Sequence, residues 1–216
     1  MHRFFVEPGC VSGQNVTIAG DDVKHISKVL RLRQGDEISV CDGCGNDYIC
    51  SIDEITASSV TANVMQTLVN KTESPLHITI YQGLPKSDKM DYIVQKCVEL
   101  GVVSVVPVVT KRAVSRPHDC DKKIARWQKI ANEAAKQCGR GILPKVGDLQ
   151  SFEQVIDSLD SDALNILPYE NEDQCKLRDA ISGYTGTDVN IIIGPEGGFD
   201  PEEISAAKQN ETTKLL

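Results

Sequence analysis

The chain has 216 residues, 40% of them hydrophobic and 25% charged, with a net charge of −8. That is the composition of an ordinary soluble globular protein, with one large domain or two small ones, and it argues against a general nucleic-acid coat. No apolar run approaches the roughly 18 residues of a membrane span, the start MHRFFVEPGC lacks an apolar signal region, and eight scattered cysteines read as thiols, which together place the protein in a reducing cytoplasm.

Residues 1–70 read as a small β-rich unit. RFFVEP, EISVCDG, DYICSIDEI and SVTANVMQT are short, β-branched and partly alternating, with turn residues between them. One helix interrupts them: DDVKHISKVLRLRQGD spaces Val23, Ile26, Val29 and Leu30 helically, with Asp21 or Asp22 as cap and Gly35 as stop. Its other face presents Lys24, Lys28, Arg31 and Arg33. A compact barrel with one helix is expected. Cys41 and Cys44 form a single CxxC, a weak zinc signal without a second pair; the glycines between and after them favour a hairpin turn, and no metal site is expected.

From TLVNKTESP onward the texture changes. LHITIYQGL is a strand. A helix capped by Ser87 or Asp88 follows, with Met90, Ile93, Val94, Cys97 and Val98 on one face and Gly101 as stop. VVSVVPVV is a second apolar strand, so the three elements predict a right-handed βαβ unit with parallel strands. DKKIARWQKIANEAAKQCGR is the next helix, with Ile124, Trp127, Ile130, Ala131, Ala134 and Cys138 as its apolar stripe, which makes Trp127 a core residue rather than a base-stacking platform. LPKVGD is extended, SFEQVIDSL a capped helix, and ALNILPYE and VNIIIGPEGG strands. The second unit is therefore α/β with a mostly parallel sheet.

The charge is unevenly spread. Residues 71–150 carry 14 basic and 8 acidic groups, whereas residues 151–216 carry 4 and 14. Within 111–145 there are 10 basic and 3 acidic groups. Such a segment is either a polyanion-binding field or a solvated helix face, and charge alone does not choose between them.

IIIGPEGGFDPEEI, residues 191–204, is the most informative stretch. Asp200 is a cap type, Pro201 suits the first helical position, and Glu203 can close a capping box. The motif is strand, glycine-rich turn, helix, at the strand end where open parallel sheets bind ligands. It has neither the Lys-Ser/Thr of a phosphate loop nor the spacing of G-x-G-x-x-G, and Glu196 would repel phosphate. A cationic or neutral ligand read by bare backbone fits it; so does a tight connection with no ligand.

IGPEGGFDPEEI, with QGLPKSDKMDYIVQKCVELGV and RWQKIANEAAKQCGRGILPKV, closely resembles the bacterial 16S ribosomal RNA methyltransferase E family, of the SPOUT class of knotted methyltransferases. MHRFFV and HISKVLRLRQGDEISVCDG resemble that family's N-terminal PUA-like RNA-binding barrel, so the resemblance covers nearly the whole chain. It implies a PUA-like barrel over 1–70 and, over 71–216, a SPOUT-type knotted, mostly parallel sheet with helices on both faces. It also implies methyl transfer from S-adenosylmethionine to N3 of a uridine in 16S ribosomal RNA of the small subunit, by a homodimer. Carried over by position, Gly194, Pro195, Glu196, Gly197 and Gly198, with Leu167, Pro168, Tyr169 and Glu170, are the expected cofactor-binding residues. Arg112 is the expected catalytic residue, since an arginine can stabilise the charge developing on the uracil without itself titrating. Arg3, Arg31, Arg33, Lys86, Lys89, Arg126 and Arg140 are the expected RNA-binding residues.

The sequence departs from the family pattern twice. Ala113 follows Arg112 where the family has serine, and the chain stops at TTKLL before a further motif and closing helix that complete the family's knot. The second departure leaves a non-catalytic RNA-binding module as the alternative expectation.

Overall fold

The computed structural model describes residues 1–113, 119–172 and 175–216. It divides into two units: Met1–Glu73 with Ala135–Leu143, and Ser74–Ala134 with Pro144–Leu216. Among the described residues, no helix is long and apolar enough to cross a membrane.

In the first unit, β1 (His2–Phe5), β2 (Val11–Ser12), β3 (Asn15–Ala19), β4 (Glu37–Cys41), β5 (Asn46–Ile55) and β6 (Ser59–Val69) form one sheet in the order β1-β4-β5-β6-β3-β2. Only β1 and β4 pair in parallel. Alternation sends Val16 and Ile18 of β3, Ile38 and Val40 of β4 and Val60 and Ala62 of β6 into one core, which also takes Phe4 from the edge strand. Register shifts between β5 and β6, at Ile49/Cys50 and Ile52/Glu54, are the irregularities that let a sheet curl around such a core.

The expected hairpin at CDGCGN joins β4 to β5. The Asp42 carboxylate accepts the N–H groups of Cys44 (2.8 Å) and Asn46 (3.1 Å), and Gly43 and Gly45 take the positive φ values the turn requires. β2 and β3 were not anticipated, because NVTIA is a short alternating run between the turn residues around Gly13 and Gly20. The helix differs from expectation more sharply. It caps on Gly20 rather than on Asp21 or Asp22; α1 spans Asp21–Lys24 and then widens into a π-turn over His25–Val29. The wider turn rotates Val29 into solvent, and the helix ends at Leu30 instead of running to Gly35, with Arg31 at φ 55.

Residues 135–143 are integral to this unit. Arg140 is 4% exposed, and its Nε donates to both oxygens of Glu73 at 2.9 and 3.0 Å; the Gly141 N–H gives Glu73 a further bond at 2.6 Å. The Arg140 carbonyl accepts from Arg3 at 2.7 Å. Lys136 pairs with Asp22 at 2.9 Å.

In the second unit, β7 (His77–Gly83), α2 (Lys89–Glu99) and β8 (Ser104–Val109) form the expected βαβ motif with parallel strands. There follow α3 (Cys120–Cys138), whose residues through Ala134 belong here, β9 (Lys145–Val146), β10 (Gln150–Ser151), α4 (Phe152–Ser158), β11 (Leu164–Leu167), α5 (Leu177–Ile181), β12 (Asp188–Ile193), α6 (Pro201–Gln209) and β13 (Thr213–Leu215). The strand order is β10-β8-β7-β12-β11-β13, with β9 also on β8, and every pairing is parallel. Val105–Val108 and Leu164–Leu167 are consecutive buried residues, so both faces of the sheet are covered. On one face, Val108, Leu167 and Ile192 pack with Phe152, Val155 and Ile204 of α4 and α6; on the other, Leu164, Ile166 and Val189 form a second cluster. Trp127 is buried as expected, its indole N–H donating to Asp91 at 3.1 Å. Cys138, expected on the apolar stripe, is exposed, and Ala135 is buried one turn earlier in its stead.

Burial raises the pKa of Glu73, and the hydrogen bonds from Arg140 and the Gly141 N–H outweigh it, so the carboxyl titrates below its ordinary value of 4.5. A depressed folded value contributes stability that is full above the ordinary value and is lost as pH falls through the folded one. Glu73→Ala should therefore cost about 2–3 kcal/mol at pH 7, below the roughly 3–5 of a fully buried pair because Glu73 keeps some contact with water. The difference from the parent should shrink below about pH 4, as read by urea unfolding across pH. A pH-independent difference would show that the pair does not hold residues 135–143.

Candidate active site

Because all paired strands of the second unit run parallel, their carboxyl ends finish at one edge. The segments after β7, β8, β11 and β12 meet there, and they contain most of the residues the motif reading singled out.

The turn Gly194–Gly198 leaves β12 directly. It closes through Gly198 N–H to the Pro195 carbonyl at 2.9 Å, with Gly198 at φ 66. Phe199 then anchors it, buried against Phe152 with ring centroids 5.4 Å apart, and α6 begins with a complete capping box between Asp200 and Glu203. Gly83, at the end of β7, lies hard against the turn: a Cβ there would stand 2.7 Å from Pro195 Cδ and 2.8 Å from its nitrogen. The buried Gln82 amide spans the same junction, donating to Gly83 O at 2.9 Å and Gly194 O at 3.4 Å.

Glu196 projects from the turn toward the start of α2. Its carboxylate accepts the Lys86 N–H at 3.1 Å and pairs with Lys89 Nζ at 2.7 Å. The Lys89 hydrogen bond, Glu196's own N–H and the Lys86 N–H hold its pKa at about 2, so Glu196 is a permanent anion and a poor proton acceptor near neutrality. Arg112, three residues past β8, reaches the turn from the other side. Its Nη1 donates to Gly197 O at 3.0 Å, its Nε stands 3.8 Å from the Asp200 carboxylate, and 43% of its side chain remains exposed. Glu170 approaches from β11, with Oε1 3.2 Å from where a Cβ on Gly198 would stand. Gly197 is exposed, and its Cβ position meets only the Arg112 side chain, at 3.6 Å.

Residues 72–216 match the model of an RNA methyltransferase domain, and residues 18–65 that of an RNA methyltransferase PUA domain. The chain is 31% identical to the ribosomal RNA small subunit methyltransferase E of Bacillus subtilis over 98% of this chain and 86% of that one. The crystal structure of the Neisseria gonorrhoeae protein of the same name, bound to S-adenosylmethionine, superposes with a TM-score of 0.88 at 30% identity, covering 100% of this chain and 88% of that one. A Legionella pneumophila structure in complex with the cofactor S-adenosylmethionine superposes at 0.86 and 28%, covering 99% and 87%.

The chain belongs to the ribosomal RNA small subunit methyltransferase E family. Its fold is accordingly SPOUT-type α/β with an N-terminal PUA-like sheet.

Within this methyltransferase fold the residues chosen from the motifs are not equivalent. Gly194–Gly198, Arg112 and Glu170 converge. Leu167 is fully buried in the core, its carbonyl takes the Leu216 N–H at 3.1 Å, and the Tyr169 N–H is given to the Leu216 carbonyl at 2.6 Å. Leu167 and Tyr169 therefore support the site through backbone pairing, while Pro168 and Glu170 are exposed beside it. Lys86 and Lys89 border the turn through Glu196. Arg126 is 60% exposed and ion-paired with Asp91. Arg31 and Arg33 are exposed on the first unit. Arg140 and Arg3 correct the expectation of a basic surface: Arg140 is buried on Glu73, and Arg3 is 15% exposed and bound to Asp47 at 2.6 Å. A basic residue in a polar stretch is not thereby on the surface, because a carboxylate far away in sequence can draw it inward.

Three residues at the site escaped the motif reading: Gln82, Gly83 and the backbone of Lys111. LHITIYQGL reads as a strand through Gly83, but the need for glycine there arises only from the Pro195 ring opposite. Gly83→Ala should lower the stability of the folded chain by about 1–3 kcal/mol, because the neighbour is a ring and main chain that cannot rotate aside. An unchanged urea midpoint would show that the turn gives way freely.

Proposed function

We propose that the chain is an S-adenosylmethionine-dependent methyltransferase that methylates N3 of a uridine in 16S ribosomal RNA, acting as a homodimer in the cytoplasm. In this reading residues 1–70 are the RNA-binding unit and residues 71–216 the catalytic domain. The observation that carries it is the convergence of the bare Gly194–Gly198 turn, the exposed Arg112 guanidinium and the Glu170 carboxylate at the carboxyl edge of the parallel sheet, in a chain of this family.

The residues suit S-adenosylmethionine. Its adenine can be read by exposed backbone, which Gly197 offers without a side chain in the way. Its ribose hydroxyls and cationic sulfonium suit a carboxylate neighbourhood, which Glu170 and the permanent anion Glu196 provide. The cofactor supplies the methyl group; this chain's residues place the acceptor and tolerate its charge. Uracil N3 must give its proton to solvent, and negative charge then spreads over the ring until N3 takes the methyl group, the donor leaving as a neutral thioether. The Arg112 guanidinium holds a fixed place through Gly197 O, so it can face that charge without reorganising.

Titration calorimetry of S-adenosylmethionine into the chain, with methyl transfer to 16S ribosomal RNA on the same sample, tests the reading. Gly197→Val should fold normally, since the Cβ position is uncrowded, yet bind the cofactor at least about tenfold more weakly because the branched side chain shields the backbone. Unchanged affinity would move the cofactor elsewhere, and RNA binding without cofactor binding would favour a non-catalytic RNA module.

For RNA, Arg126→Gln should lower affinity and reduce the slope of log K against log salt by about 0.7–0.9, with cofactor affinity unchanged. Arg140→Gln should instead appear as lost stability. Equal RNA slopes for parent and Arg126→Gln would return that side chain to a purely structural role with Asp91.

A further inference from the structure

We infer that Glu203 is a positioning residue for methyl transfer, because its one buried carboxylate fixes the segment that carries Arg112 to the glycine turn. The inference rests on the proposed role of Arg112. Glu203 is 2% exposed. One oxygen does what a capping box requires, accepting the Asp200 N–H at 2.8 Å. A surface cap needs no more than that. The second oxygen accepts the N–H of Lys111, also at 2.8 Å, and Lys111 immediately precedes Arg112.

The same helix turn holds the arginine's other end. Asp200, whose N–H Glu203 fixes, stands 3.8 Å from Arg112 Nε, while Arg112 Nη1 donates to Gly197 O at 3.0 Å. Main chain and guanidinium are thus both referred to the first turn of α6. The Lys111 side chain also pairs with Glu202, but both groups are exposed and the pair is screened by salt. Glu203 is the buried member, where a fully satisfied carboxylate can specify one geometry. Replacing it by glutamine keeps the shape but sets an NH2 group against one of the two N–H donors, so one bond is lost and two donors face each other.

The test is a double-mutant cycle with single-turnover methyl transfer to 16S ribosomal RNA, with S-adenosylmethionine affinity measured in parallel. Glu203→Gln should lower the rate at saturating cofactor and RNA about tenfold or more, as a small misplacement of a charge-stabilising group does. In the Arg112→Ala background the same change should alter the remaining rate by less than about twofold, since there is no guanidinium left to misplace. An undiminished Glu203→Gln rate overturns the inference. So does an equal fold-loss in both backgrounds, which is what a merely structural cap would give. An Arg112→Ala chain that turns over at the parent rate overturns the role of Arg112 itself, and is recognised by that single variant. Glu203→Asp, which keeps the charge but cannot span both donors, serves the same cycle if the glutamine variant does not fold.

Discussion

Gly83 and Pro195 come so close that a single carbon added to the glycine would stand inside the van der Waals envelope of the proline ring and its nitrogen. The approach follows from register. β7 and β12 are neighbours in a parallel pairing that runs as far as Ile193 opposite Gln82, so the next residue of each strand must pass the other at the same level. The glycine turn is thereby pressed onto the end of β7, and the rest of the site is arranged around a turn that cannot shift. Phe199 and the capping box fix its far side. Gln82, buried and polar, donates its amide to two carbonyls at the junction.

Carboxylates dominate the edge, and they divide by burial. Glu203 is buried and spends both oxygens on main-chain N–H groups. Glu196 is exposed and held to Lys89 and the Lys86 N–H, which locks the start of α2 to the turn and keeps the carboxyl ionised. Glu170 faces Gly198 from the neighbouring strand end. A local negative field next to exposed backbone repels free phosphate and favours a cationic ligand, whereas Arg112 offers one positive group at the same turn. This separation of signs within one loop cluster suits the proposed transfer from a sulfonium donor to an acceptor that becomes anionic.

The basic surplus of residues 111–145 shows how far charge counting reaches. Arg140, Lys136 and Arg126 belong to that surplus, yet Arg140 is buried on Glu73, Lys136 is paired with Asp22, and Arg126 reaches Asp91. Part of the surplus is internal neutralisation. The exposed basic residues Lys24, Lys28, Arg31 and Arg33 lie in residues 1–70, a stretch whose net charge is acidic. Net charge by segment does not locate a field, because partners are chosen by tertiary proximity.

The elements with long or strongly alternating patterns were legible from the sequence alone. The βαβ motif at 77–109, the long helix over 120–138, the buried Trp127 and the complete Asp200–Glu203 box all follow from periodicity and cap chemistry acting over a few residues, and the glycine turn announced itself by composition. The widened turn at His25–Val29, the strand β3 between two glycine turns and the burial of Arg140 did not, since each is settled by what packs against it. The same holds at the site. Sequence could say that Gly194–Gly198 leaves a strand and enters a helix, and that Glu203 can cap. Only the fold brings Lys111, Arg112 and Gly83 to that turn, because strand order in a parallel sheet is set by how the faces are covered and not by the order of strands along the chain.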